Sequence, residues 1–121
     1  MLLMFLIATD QPLDIAFLVD CSSYTTDEKW KFILSFLQNA IDQLRILPGT
    51  KGNHLALVTY SSSALAVYDF NGSQNVTDIK KIIGTMKRRA GYRRPDEALK
   101  LASSSIFTPG SGARDSAKKV I

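Results

Sequence analysis

The order of patterns along this chain predicts an α/β fold, a doubly wound mixed sheet with helices on both faces. Three observations carry the prediction. An apolar run ends in an acid, Leu13-Asp14-Ile15-Ala16-Phe17-Leu18-Val19-Asp20; a long helical periodicity follows; then comes a second apolar run, His54-Leu55-Ala56-Leu57-Val58-Thr59-Tyr60. Strands covered on both faces read as near-continuous apolar runs, and strand, helix, strand in succession is the pattern of a right-handed parallel crossover. That crossover puts Asp20 near the centre of the sheet, at the carboxyl end of a strand, where open α/β sheets hold their ligands.

The elements follow in order. Residues 1–12 form an apolar N-terminal segment whose run Met1–Ala8 is too short to span a bilayer. It reads as a possible signal-peptide remnant, although no basic residue precedes it and no small-x-small cleavage pattern follows. The domain itself is expected over residues 13–121. After the first strand, Trp30, Ile33, Leu34, Leu37, Ile41 and Leu44 recur at three- and four-residue spacing, predicting one amphipathic helix from Asp27 to Leu47. Thr25, Thr26 and Asp27 offer N-caps to it, and Pro48-Gly49 ends it. The second strand is His54–Tyr60. Beyond Ser61-Ser62-Ser63, the alternation Ala64–Phe70 predicts an antiparallel third strand at the edge of the sheet.

Asn71-Gly72 is a turn signal, and Val76, Ile79, Ile82, Ile83 and Met86 mark a second helix running to Lys87. Pro95 suits the first turn of a third, with Asp96 and Glu97 at its positive end and Leu99, Ala102 and Ile106 as its packing face to Phe107. The loop Pro109-Gly110-Ser111-Gly112 leads to Lys119-Val120-Ile121, the opening of a fourth strand. The expected sheet is therefore incomplete, with three strands, three helices and the start of a fourth strand. Its open flank beside the first strand calls for cover by the remaining part of a larger domain or by a second chain.

At 121 residues the chain holds a single core, and 45% hydrophobic with 21% charged residues is the balance of a folded globular domain. The net charge of +4 favours acidic partners weakly. Lys80, Lys81, Lys87, Arg88, Arg89, Arg93, Arg94 and Lys100 concentrate positive charge in one third of the sequence, which suits either a solvated face or a surface for an acidic protein or a sulfated glycan. Aromatic residues are not interleaved with it as a nucleic-acid stacking platform requires.

The single cysteine, Cys21, reads as a small buried residue. The single histidine, His54, opens the second strand at the end opposite Asp20 and reads as a surface residue, so it forms no acid–base pair with that carboxylate. Glycine-rich phosphate loops, zinc-ligand spacings and a nucleophile elbow are all missing from the sequence. Asn71-Gly72-Ser73 and Asn75-Val76-Thr77 match the N-glycosylation acceptor pattern in turn-rich sequence, making Asn71 and Asn75 candidate glycan sites and favouring an extracellular or cell-surface protein.

The segment Leu13–Ser23 resembles the first strand and metal loop of a von Willebrand factor type A domain, a Rossmann-like fold whose loop reads Asp-x-Ser-x-Ser. Leu55-Ala56-Leu57-Val58-Thr59-Tyr60-Ser61 is similar to its second strand, and Ala90-Gly91-Tyr92-Arg93-Arg94-Pro95-Asp96-Glu97-Ala98-Leu99 to its Gly-x-Thr-x-Thr-Gly-x-Ala-Leu loop and helix start. The resemblance covers roughly Asp14 to Ile121. It implies a Mg2+ or Mn2+ ion on Asp20 and Ser22, as hard cations choose carboxylate and hydroxyl oxygens.

This sequence departs from the pattern at two of the expected metal-ligand positions. Tyr24 stands at the second serine position, with Ser23 or Thr25 as substitutes after a loop shift, and Arg93 stands where the metal-binding threonine is expected. A guanidinium has no acceptor, so metal binding is expected to be weak or absent, with Arg93 pairing with Asp20 in place of the ion or else pointing into solvent. Tyr24, Arg93 and Arg94 are the expected ligand contacts. The implied function is non-enzymatic, adhesion or binding of an extracellular partner such as collagen or another matrix protein. The alternatives are an assembly module without a ligand site and a hydrolytic enzyme using Asp20.

Overall fold

The structure is a computed structural model describing residues 11–121; the apolar run Met1–Ala8, read above as a possible signal-peptide remnant, lies outside the described residues. Four strands, β1 (Leu13–Asp20), β2 (His54–Tyr60), β3 (Ala64–Tyr68) and β4 (Lys118–Val120), form one sheet in the order β3-β2-β1-β4. β1 pairs in parallel with β2 from Asp14 opposite His54 to Asp20 opposite Tyr60, and β3 runs antiparallel to β2 at the edge. The expected mixed α/β sheet is what forms. β4 pairs in parallel with Leu13–Ile15 of β1.

Strand alternation sorts the core into two layers. Leu13, Ile15, Leu55 and Leu57 turn to one face and pack with α1 (Asp27–Ile41) and α2 (Val76–Thr85) through Trp30, Leu37, Ile41, Ile79 and Ile83. Ala16, Ala56 and Val58 turn to the other and pack with α3 (Pro95–Leu101) and the turns after it, through Ala98, Ile106 and Phe70. Each fully buried Leu or Ile contributes about 1.5–3 kcal/mol. Thr26 caps α1 by accepting the Lys29 N–H, and Asn75 caps α2 by accepting the Thr77 N–H.

Besides β4, which spans Lys118–Val120 and not Lys119–Ile121, four boundaries differ from expectation. α1 stops at Ile41 instead of Leu47: the chain tightens into turns, Arg45 takes a left-handed φ of 53°, and Ile46 bridges to Asn53. The periodicity continued because Leu44 still packs, 1% exposed, after the helix has ended. β3 stops at Tyr68, since Phe70 leaves the ladder to bury itself against Phe107 with ring centroids 5.6 Å apart. α2 ends at Thr85, before the loop that reaches the site. α3 is α-helical only to Leu101 and finishes as a π-helical turn, Ala102–Ile106.

At the amino end of the sheet lies a buried ion pair. Asp14 is fully buried, and its carboxylate accepts the Arg114 Nε–H at 2.9 Å and the Arg114 backbone N–H at 2.7 Å. The same guanidinium donates to the carbonyls of Leu13, Thr50 and Gly52. One side chain thus ties the start of β1, the loop before β2 and the segment before β4.

His54 stands beside this pair and is half-buried instead of a plain surface residue. Its Nε2 donates to Gly49 O at 2.8 Å, while its Nδ1 is buried and bonded to no described residue. Burial, and then the charge of Arg114, push its pKa below the ordinary 6.5. The unfolded chain therefore takes up a proton first as the pH falls, so His54 removes stability progressively below about pH 6.5 and has no effect above it. His54→Gln should flatten that limb of a urea-midpoint profile; an identical slope in the variant would refute the assignment.

Candidate functional site

The carboxyl ends of β1 and β2 lie side by side, and three segments meet over them: 21–26 after β1, 61–63 after β2, and 86–94 between α2 and α3. Backbone bonds join them into one surface. Cys21 N donates to Tyr60 O, and Cys21 O receives the N–H groups of Arg89 and Ala90 at 3.2 and 3.0 Å. Ser23 N donates to Gly91 O at 3.0 Å, and Gly91 N returns a bond to Ser23 Oγ at 2.9 Å. Tyr92 N donates to Ser62 Oγ, and Arg94 N to Ser61 O. Gly91 is required here: its φ is +104°, and a Cβ on it would sit 2.6 Å from Ser62 Oγ.

Asp20 occupies the centre. Its Oδ1 accepts the Ser22 N–H at 2.8 Å and its Oδ2 accepts the Arg93 Nε–H at 2.8 Å. Burial raises the carboxyl pKa, but the hydrogen bonds from Ser22 and the charge and hydrogen bond of Arg93 outweigh it, so the net shift is downward. The Arg93 guanidinium lies over the Tyr24 ring, 4.7 Å from its centroid. Ser22 is fully buried, and its Oγ accepts the Tyr24 N–H at 3.3 Å. Thr25 Oγ1 donates to the main-chain carbonyl of Asp20 and not to its carboxylate. Asp20, Ser22, Tyr24 and Arg93 are thus brought together, whereas Ser23 and Thr25 are taken up in holding the loops.

Arg94 turns away to its own helix, bonding Asp96 at 2.7 and 3.1 Å and Glu97 at 3.2 Å. Arg88 pairs with Asp27 at 2.7 Å and also donates to Thr25 O, while Arg89 donates to the carbonyls of Thr59 and Ser63. Arg88, Arg89 and Arg93 therefore serve as loop fasteners. The sequence left a solvated face and a binding surface both open for the basic run, because charge shows in a sequence and partner geometry does not. The Ser62–Tyr92 contact was also missed, and its one signal is the glycine at 91 that permits the close approach.

Asn71 and Asn75 lie at the opposite end of the sheet, beyond β3. Both are exposed; the Asn71 amide donates to Gly110 O at 2.9 Å, and the Asn75 carbonyl is committed to capping α2.

The donor set does not fit the divalent ion implied by the loop pattern. Both Asp20 oxygens already accept hydrogen bonds, one of them from a cation, and a guanidinium stands where a hydroxyl ligand is needed.

The sequence profile described as von Willebrand factor type A domain matches residues 14–121. Von Willebrand factor of Rattus norvegicus is 24% identical over 110 residues, covering 90% of this chain and 25% of that protein. Integrin alpha-X of Mus musculus is 28% identical over 111 residues, covering 92% of this chain and 9% of that protein. Matrilin-2 of Mus musculus is 27% identical, with 93% and 12% covered. These relatives are adhesion and extracellular-matrix proteins, and this chain spans a quarter of their length or less. Among solved structures, proximal thread matrix protein 1 from the mussel byssus superposes with a TM-score of 0.82 at 25% identity, covering 92% of this chain and 30% of that one. A second structure of that protein, with a zinc-occupied MIDAS motif, gives 0.81 at 25% identity, covering 90% and 29%.

Proposed function

The chain belongs to the von Willebrand factor type A domain family, and we propose on that footing that it is a non-catalytic module binding an extracellular protein through the carboxyl end of its sheet. The observation that carries the reading is the fastened loop surface around Asp20. It presents Tyr24 at 61% and Tyr92 at 75% exposure beside Arg93, the residue types that dominate binding energy at interfaces. A rigid aromatic surface loses little conformational freedom on binding.

Collagen or another matrix protein is the proposed partner, in keeping with the relatives. A sulfated glycan is the weaker choice, because Arg88, Arg89 and Arg94 are already engaged within the chain. The test is retention on immobilised collagen. Tyr92→Ala, at an exposed position that leaves the fold intact, should weaken it about tenfold. Retention equal to the parent's would remove this surface from the interaction, and no retention by the parent would remove collagen.

A second reading has its own support. Phe32 and Phe36 lie one turn apart on α1 and are 74% and 57% exposed, which suits assembly through that helix. Loss of association in Phe32→Ser/Phe36→Ser, with Tyr92→Ala silent, would favour it.

Extracellular placement is part of the same proposal, with Asn71 and Asn75 as acceptors far enough from Asp20 for a glycan to leave the loop surface free. When the chain is secreted behind a cleavable signal sequence, N-glycosidase treatment should increase its gel mobility. Unchanged mobility would dismiss both sites.

A further inference from the structure

We infer that Arg93 is a resident cation: fixed on Asp20 and stacked over Tyr24, its guanidinium takes the place of the divalent ion that the loop pattern of the family is built to hold. The two expected ligand positions at which the sequence leaves that pattern, Tyr24 and Arg93, carry side chains that touch each other, with the guanidinium carbon 4.7 Å from the ring centroid. A tyrosine face stabilises a bound cation through its quadrupole and is a poor ligand for a small divalent ion. The departures therefore work as one unit. The ring supports the guanidinium from below while Asp20 Oδ2 accepts its Nε–H at 2.8 Å.

Electrostatics oppose joint occupancy. An ion bound to Asp20 would share that carboxylate with a positive charge already held 2.8 Å from its Oδ2. The other service of an ion, holding the two loops together, is also supplied without it. Arg89 N and Ala90 N on Cys21 O, and the paired bonds between Ser23 and Gly91, cross the same gap. What the site then offers a partner is a guanidinium edge, half-exposed, whose remaining N–H groups suit a carboxylate. The inference concerns the cation alone and stands or falls separately from the choice of collagen as partner.

The test is a Mn2+ titration followed by electron paramagnetic resonance of the free ion, together with thermal unfolding in EDTA and in millimolar MnCl2 or MgCl2. The parent chain should show no saturable Mn2+ binding and the same midpoint in all three solutions. Tyr24→Ser/Arg93→Thr should gain a saturable site, at least about tenfold tighter than any binding by the parent, with a midpoint that rises in MnCl2 and falls back in EDTA. Saturable Mn2+ binding by the parent would overturn the inference, and so would a folded double variant that still ignores Mn2+. Should the double variant fail to fold, Arg93→Lys and Arg93→Gln decide in EDTA alone. A resident cation predicts that Lys keeps more of the parent's midpoint than Gln, and equal loss in the two would overturn it.

Discussion

Arg114→Met should lower folding stability by about 3–5 kcal/mol, the cost of stranding a buried charge once its partner is removed. Asp14 has no exposed surface; the substitution removes the guanidinium that pairs with it at 2.8 Å and donates Nε–H at 2.9 Å, and leaves it only the backbone N–H of residue 114 at 2.7 Å. The guanidinium also serves the carbonyls of Leu13, Thr50 and Gly52, and those contacts disappear with it. Against a typical total of about 5–15 kcal/mol for a domain, the loss is large enough to unfold a marginal one. Asp14→Leu/Arg114→Met should recover part of it, because no charge is then left buried alone. Urea midpoints read the series, with Lys80→Met as the exposed control, expected within about 1 kcal/mol of the parent. An Arg114→Met midpoint as close to the parent as the control's would mean that the pair does not bear on stability.

Gln74→Leu is the second large effect, and it arises from the backbone. β3 pairs with β2 only from Leu57 to Tyr60, so the outward N–H and C=O of Leu55 have no strand partner. The buried Gln74 amide stands in for the missing strand, accepting from Leu55 N at 2.7 Å and donating to Leu55 O at 3.2 Å and Gly72 O at 3.2 Å. Leucine keeps the volume and satisfies neither group, and each buried polar group left without a partner costs about 1–3 kcal/mol. The loss should appear both in the urea midpoint and as faster hydrogen exchange at the Leu55 amide. Unchanged exchange there would show that the amide bond is dispensable.

Wherever a single element sets its own pattern, the sequence was legible. β1 and β2 announced themselves because strands covered on both sides must be apolar throughout, and the Trp30–Ile41 stripe marked α1 because one helix face meets the sheet. The apolar run ending in Asp20 marked the carboxylate that bonds Ser22 and Arg93 where the loops meet. The loop pattern pointed to the family, and its departures at the ligand positions Tyr24 and Arg93 raised the pairing of Arg93 with Asp20 that the geometry contains.

Sequence periodicity could not end α1, since Leu44 remains apolar for a contact it makes from a turn. Nor could composition tell a basic patch from a set of fasteners, because a guanidinium has the same charge whether it faces water or the carbonyls of Thr25, Thr59 and Ser63.

The sequence by itself therefore determined the layers, the order of the elements and the carboxylate at the centre of the candidate site, all of which follow from side-chain periodicity within one element. Only the tertiary structure decided where the charges and the unpaired backbone groups are satisfied. Asp14 meets Arg114 across 100 residues, Gln74 completes a ladder 19 residues before it, and Arg93 reaches Asp20 across 73. Hydrogen bonds depend on distance and direction in space, and a sequence carries neither until its loops have closed.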